Sequence, residues 1–198
     1  MITIKSMPLF YHFCWIAQYY DRLASEPDLA FWREALGLPA AGRLLDAGGG
    51  TGRISQPLAA DVDAVVLVDA AWKMAAQARR KPNLSALTAE AEAFPFASHS
   101  FSRVMMVDAL HHVRDPRLCA REMLRVLEPG GRLVILEPDI HRMSGKVVAL
   151  LEKLLLMRSH FLSTQAIQAL FQDSGVRTQA RRVQHQVLVT VERIDILG

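Results

Sequence analysis

Apolar residues in this chain fall into short runs that alternate with stretches of helical spacing, and glycines or prolines separate the two. Arg43–Leu45, Ala64–Val68, Leu84–Thr88 and Phe101–Val107 have the length and composition of buried strands. A fifth strand is predicted after Gly130 and Gly131, running towards Pro138. Between them, Ile54–Ala60 reads as a helix opening. Pro116–Val126 starts on proline and spaces Leu118, Met123 and Leu124 along one side of a helix. Phe10–Leu36 reads as a mainly helical, aromatic-rich leader closed by Gly37-Leu38-Pro39. Ser144–Phe161 reads as an amphipathic helix carrying Val147, Val148, Leu151, Leu154 and Leu155 on one side. Ser163 and Thr164 cap a helix through Phe171 that Gly175 ends. Val176–Val183 and Val187–Ile194 then suggest an antiparallel hairpin at the sheet's edge.

Composition narrows the class. A chain of 198 residues, 51% hydrophobic and 22% charged, is expected to form one ordered domain. Its formal charge of +3 is spread among acids with no run of five like charges, so nothing points to nucleic acid. Cys14 and Cys119 lie far apart with no metal-ligand spacing, which suits reduced thiols and no metal. Met1–Tyr20 lacks a clear cleavage site, and Val147–Met157 is too short and too interrupted to span a bilayer. A soluble, cytoplasmic protein without stable membrane insertion is expected.

Candidate chemistry centres on Arg43–Arg53, RLLDAGGGTGR. Asp46 ends the first strand, and Gly48, Gly49, Gly50 and Gly52 make the next turn nearly free of side chains. Such a turn lets backbone approach a ligand closely. Spacing decides among nucleotide-binding folds. The dinucleotide pattern needs a third glycine where Arg53 stands, and a P-loop needs a lysine that is absent. Asp69 ends the second strand, roughly 20 residues beyond the turn, where an acid accepts hydrogen bonds from ribose hydroxyls. Asp108, His111 and His112 follow the fourth strand and fall on the same rim, where open α/β sheets bind ligands. Adjacent histidines point to different sides, so one is expected to face a substrate.

The acid-x-Gly-x-Gly-x-Gly pattern of Asp46, Gly48, Gly50 and Gly52 resembles the cofactor loop of S-adenosylmethionine-dependent methyltransferases with a Rossmann-like fold. Further stretches are similar to that family in order and spacing. They are Tyr19-Tyr20-Asp21, Asp69 to Met74 with Ala71 in place of a serine, Glu90 to Phe96 (EAEAFPF), Asp108 to Asp115 and Arg125 to Ile135. Ser102 replaces an acid common at its position. The resemblance covers roughly Tyr19 to Arg193 and implies an α/β, doubly wound, mainly parallel seven-stranded sheet. Helices would lie on both faces, with an antiparallel C-terminal strand.

On that resemblance residues 1–198 form one methyltransferase domain. Residues 1–38 are a helical leader, 39–138 the cofactor-binding core, 139–163 a substrate lid and 164–198 a helix and terminal hairpin. The implied cofactor is S-adenosylmethionine, held by Asp46, Ala47, Gly48, Gly50, Gly52, Asp69, Ala70, Met74, Glu90, Ala91 and Asp108. Tyr19 and Tyr20 would meet the substrate, and His111 or His112 would serve as base or substrate contact. The acceptor would be a small molecule, quinone precursors included, and a homodimer stays open. Two rivals remain: a non-catalytic adenosine-binding scaffold, for which Ala71 and Ser102 speak, and an NAD-dependent oxidoreductase.

Overall fold

A computed structural model describes residues 26–139, 161–172 and 175–194. Seven strands form one sheet: β1 (Arg43–Ala47), β2 (Ala64–Asp69), β3 (Leu84–Thr88), β4 (Phe101–Val107), β5 (Leu127–Pro138), β6 (Val176–Val183) and β7 (Gln186–Arg193). Their order is β3-β2-β1-β4-β5-β7-β6. The first five are parallel, and β7 runs antiparallel to both β5 and β6. The expected sheet is therefore present, including the reversed C-terminal strand. Its order reverses at β1, so a crevice opens above the carboxyl ends of β1 and β4.

Strand alternation divides the core between two layers. On one face, α1 (Leu29–Leu36) sets Trp32 and Leu36 against Leu44, Val65, Met105 and Val134. On the other, α3 (Pro116–Val126) and α4 (Thr164–Ala169) set Cys119, Met123 and Ile167 against Leu45, Val104, Met106 and Ile135. Neighbours in sequence such as Leu44 and Leu45 thus face opposite layers, as the two-residue strand period requires. Cys119 is fully buried and its thiol pKa is pushed up by burial.

Local chemistry explains most boundaries. The Asp115 carboxylate accepts from the Arg117 and Leu118 amides at 2.9 and 3.1 Å, and Pro116 occupies the first turn where no amide is needed. Gly37 closes α1 at φ +64°, with Gly37 N donating to Glu34 O and Leu38 N to Arg33 O. Two arginines from the sheet complete that helix end. Arg103 donates through Nε to Leu36 O at 2.7 Å, and Arg132 reaches Ala35 O. Replacing Arg103 by Leu leaves Leu36 O and Gly37 O short of a charged donor. A loss of about 2 kcal/mol in urea unfolding is expected, with the ligand cleft unaffected.

Two expectations change. The segment after the glycine turn is not an α-helix over Ile54–Ala60 but a 3₁₀ helix, Gln56–Asp61. Pro57 carries no amide to donate, and the Ser55 side chain makes no cap. Strand β5 begins at Leu127, ahead of the two glycines rather than after them. Its register with β4 jumps from Phe101–Leu127 to Arg103–Arg132, so Glu128–Gly131 bulges out between two paired stretches. The leader before residue 26 and most of Ser144–Phe161 lie outside the described residues.

Candidate functional site

The glycine turn is shaped by what surrounds it. Gly48 and Gly49 both donate to Val68 O, at 2.7 and 3.3 Å, which ties the turn to the end of β2. A Cβ on Gly48 would come 2.6 Å from Ala109 Cβ, and one on Gly52 would come 2.5 Å from Leu84 Cδ2. One on Gly49 would strike the Asp46 carboxylate. These three are glycines because neighbours fill their space. Gly50 differs: at φ +59° a Cβ there would meet nothing within 4 Å, and the residue lines the cleft.

Asp69 holds this arrangement together. Oδ2 accepts from Gly50 N at 2.9 Å, and Oδ1 accepts from Ala71 N at 2.7 Å, at the start of α2 (Trp72–Ala78). Each carboxylate oxygen keeps a further lone pair for a ligand hydroxyl. Ala71 supplies no side-chain cap to α2, and its backbone amide is the part that serves the site. Ser102 is used elsewhere, donating to Ala41 O at 2.7 Å below the cleft.

The opposite wall follows β4. Asp108 sits at φ +49°, a conformation uncommon outside glycine, and accepts from Gln186 Nε2 at 2.8 Å. Leu110–His112 then make a single 3₁₀ turn. His112 faces the cleft. His111 lies behind it, only 3% exposed, with Nδ1 2.5 Å from Glu137 Oε2. Glu92 carries no cleft role alone; its Oε1 accepts from the Arg114 and Asp115 amides and fastens the loop that leads to α3.

Of the residues singled out in the sequence, Asp46, Gly48, Gly50, Asp69, Ala70, Met74, Glu90, Ala91, Asp108 and His112 line one cleft. Ala47, Gly52 and His111 do not line it, and Tyr19 and Tyr20 lie outside the described residues. The cleft also takes Thr51, Ile54 and Val113, which sequence reasoning passed over as site residues, and Gly49 and Arg53, which it read only as part of the turn. Arg53 had a signal: it directly follows Gly52, where it counted only as a missing glycine.

The cleft is electrostatically negative. Asp46, Asp69, Glu90, Glu92 and Asp108 outnumber Arg53 among its charged groups. Burial pushes the Asp46 carboxyl up to about 7, helped by Asp69 and opposed by the Ser55 hydroxyl. Burial likewise raises Asp69 to about 6 against the Ala71 and Gly50 amides, and Asp108 to about 6 with help from Glu137. His112 is pushed down to about 3, first by burial and then by His111, so its ring is neutral at pH 7. Among the described residues no three His, Cys, Asp or Glu side chains form a metal-holding group.

A switch-point cleft with a glycine turn on one strand and an acid closing the next defines a Rossmann-like protein built to hold an adenosine-containing ligand. Residues 45–135 match the family model described as a methyltransferase domain. Over that stretch, just under half of its length, the chain resembles the class I, Rossmann-like S-adenosylmethionine-dependent methyltransferases. It is 38% identical over 111 residues to the demethylmenaquinone methyltransferase of Renibacterium salmoninarum, covering 54% of this chain and 47% of that one. It is 32% identical over 146 residues to the ubiquinone/menaquinone biosynthesis C-methyltransferase UbiE of Hahella chejuensis, covering 62% and 59%. The chain thus spans about half the length of such relatives. A Thermotoga maritima structure described as an S-adenosylmethionine-dependent methyltransferase shares the fold at TM-score 0.72 and 22% identity, covering 93% and 99%.

The residues present fit the family's cofactor. Gly50 leaves open space where its ligand would lie, Asp69 keeps acceptor capacity for hydroxyls, and the acidic lining suits a cationic sulfonium.

Proposed function

We propose that this protein transfers a methyl group from S-adenosylmethionine to a small-molecule acceptor, and that the acceptor is a hydroquinone of the demethylmenaquinone kind. The open, anionic cradle between Gly50 and Asp69 carries the first part. The names of the relatives support the second. The cofactor supplies an electrophilic methyl on a positively charged sulfur.

What remains for the protein is placement. Alignment of two reactants supplies roughly 7–11 kcal/mol of a barrier, so no nucleophilic side chain is needed. Asp69 and the Gly50 turn fix the adenosyl end, and Met74 and Ala91 line the same cleft. A reduced ring carries electron density that a quinone lacks. A ring carbon would take the methyl while the sulfur keeps the electron pair of the broken bond, and the proton on that carbon would pass to water. Neutral His112 faces this space and can accept a hydrogen bond from an acceptor hydroxyl. The enzyme works in the cytoplasm as a single domain. Among the described residues no helix is long and apolar enough to cross a membrane.

Incubation with S-adenosylmethionine and demethylmenaquinol is expected to add one methyl group by mass spectrometry, and the oxidised quinone is expected to give none. Methylation of neither form would remove this acceptor. The scaffold reading rested on Ala71 and Ser102, and neither side chain contributes to the cleft lining.

A further inference from the structure

Four hydrogen bonds tie the end of β5 to the cleft wall that follows β4. Leu136 O accepts from Asp108 N at 2.9 Å. Glu137 Oε1 accepts from Ala109 N at 2.9 Å and Leu110 N at 2.8 Å, while Oε2 takes His111 Nδ1 at 2.5 Å. Facing a carboxylate oxygen, Nδ1 carries the proton. Both side chains are almost wholly buried, Glu137 at 4% and His111 at 3% exposed. The His111 ring is further clamped by stacking on Phe161, 4.6 Å between centroids at 14°, and the His112 ring lies 4.0 Å from it between centroids. His112 alone of these rings opens on the cleft.

We infer that Glu137 is the positioning residue of the acceptor side of the cleft: it fixes the wall backbone through one oxygen and His111 through the other, and the clamped His111 ring sets the orientation of His112. A carboxylate buried merely for stability is costly, since an apolar residue of similar volume often serves as well. This one is spent on three donors within three consecutive residues of the wall. The inference rests on the methyl-transfer reading for its kinetic consequence, but not for its structural one.

Glu137→Gln in the full chain separates the two oxygens. The amide keeps one carbonyl oxygen for Ala109 N and Leu110 N and puts an NH₂ group, which cannot accept, opposite His111 Nδ1. The wall is then retained and the histidine register is not. Expected are S-adenosylhomocysteine affinity by calorimetry within about twofold of the parent, shifted imidazole ¹⁵N resonances of His112, and a fall in kcat of at least about tenfold with demethylmenaquinol while the acceptor KM stays near its parent value. Unchanged His112 resonances in the variant would overturn the inference. Should Glu137→Gln fail to fold, His111→Phe retains an aromatic ring against Phe161 and removes Nδ1. The same shift of His112 is expected there, and its absence counts equally against the proposal. Failure of the parent to bind S-adenosylhomocysteine would instead defeat the methyl-transfer reading, leaving the resonance comparison in the free protein to judge Glu137.

Discussion

Gly50→Val lowers affinity for S-adenosylhomocysteine by at least about a hundredfold, ~2.7 kcal/mol, while the fold survives. Gly50 lines the cleft and a Cβ there would meet nothing within 4 Å, so the added isopropyl group is expected to take ligand space rather than core. A left-handed backbone at φ +59° adds about 1–2 kcal/mol of strain for a side-chain-bearing residue. Gly48→Val behaves differently. Its Cβ collides with Ala109 in the opposite wall, so stability falls together with binding. Calorimetry paired with urea unfolding on the two variants distinguishes them. Equal ligand affinity for Gly50→Val and the parent would place the ligand elsewhere.

Asp46→Asn stabilises the protein above neutral pH and leaves it nearly unchanged near pH 4. The Asp46 carboxyl is 2% exposed, and its pKa rises from 3.8 in the unfolded chain to about 7 on folding. The native state therefore holds this proton more tightly than the unfolded state does. The resulting stability is complete below the unfolded value and is lost as pH climbs through the folded one. Asparagine resembles the protonated acid at every pH and escapes that loss. The gain at pH 8 is on the order of 2–4 kcal/mol, read as a rise in melting temperature relative to the parent. A variant equally or less stable than the parent at pH 8 would show that Asp46 is stabilised as an anion in the free protein.

That cost makes sense for a binding site. An acid retained in a buried position at the expense of stability marks function rather than folding. On the proposed function Asp46, Asp69 and Asp108 would together offer a negative cleft to a cationic sulfonium, and a positive ligand would in turn favour their ionised forms. Affinity for S-adenosylmethionine should accordingly rise from pH 5.5 to 8. S-adenosylhomocysteine, whose sulfur is uncharged, should vary less.

Much of the cleft was legible because its chemistry is local in sequence. The glycine turn, Asp69 and Asp108 all stand at strand ends, and alternating apolar runs fix where strands end. β3 and β4 have their expected bounds, and α3 does as well, since Asp115 and Pro116 mark its start chemically. The 3₁₀ segment was missed because helical spacing over seven residues cannot outweigh a proline near its first turn. Glu137 was missed for another reason. Its three donors lie 26 to 28 residues away, and only the pairing of β4 with β5 brings them together. A strand-end signal was nonetheless present, since Glu137 occupies on β5 the place that Asp46, Asp69 and Asp108 hold on or beside β1, β2 and β4. The clamp of Arg103 on Leu36, 67 residues apart, carries no such signal.

The most direct test of the adenosyl-sulfonium site is calorimetric titration of the purified protein with S-adenosylhomocysteine and, separately, with NAD. One-to-one binding of S-adenosylhomocysteine that Gly50→Val abolishes, with no heat from NAD, is the expected result. Binding of NAD alone, or S-adenosylhomocysteine binding indifferent to Gly50, would contradict the account.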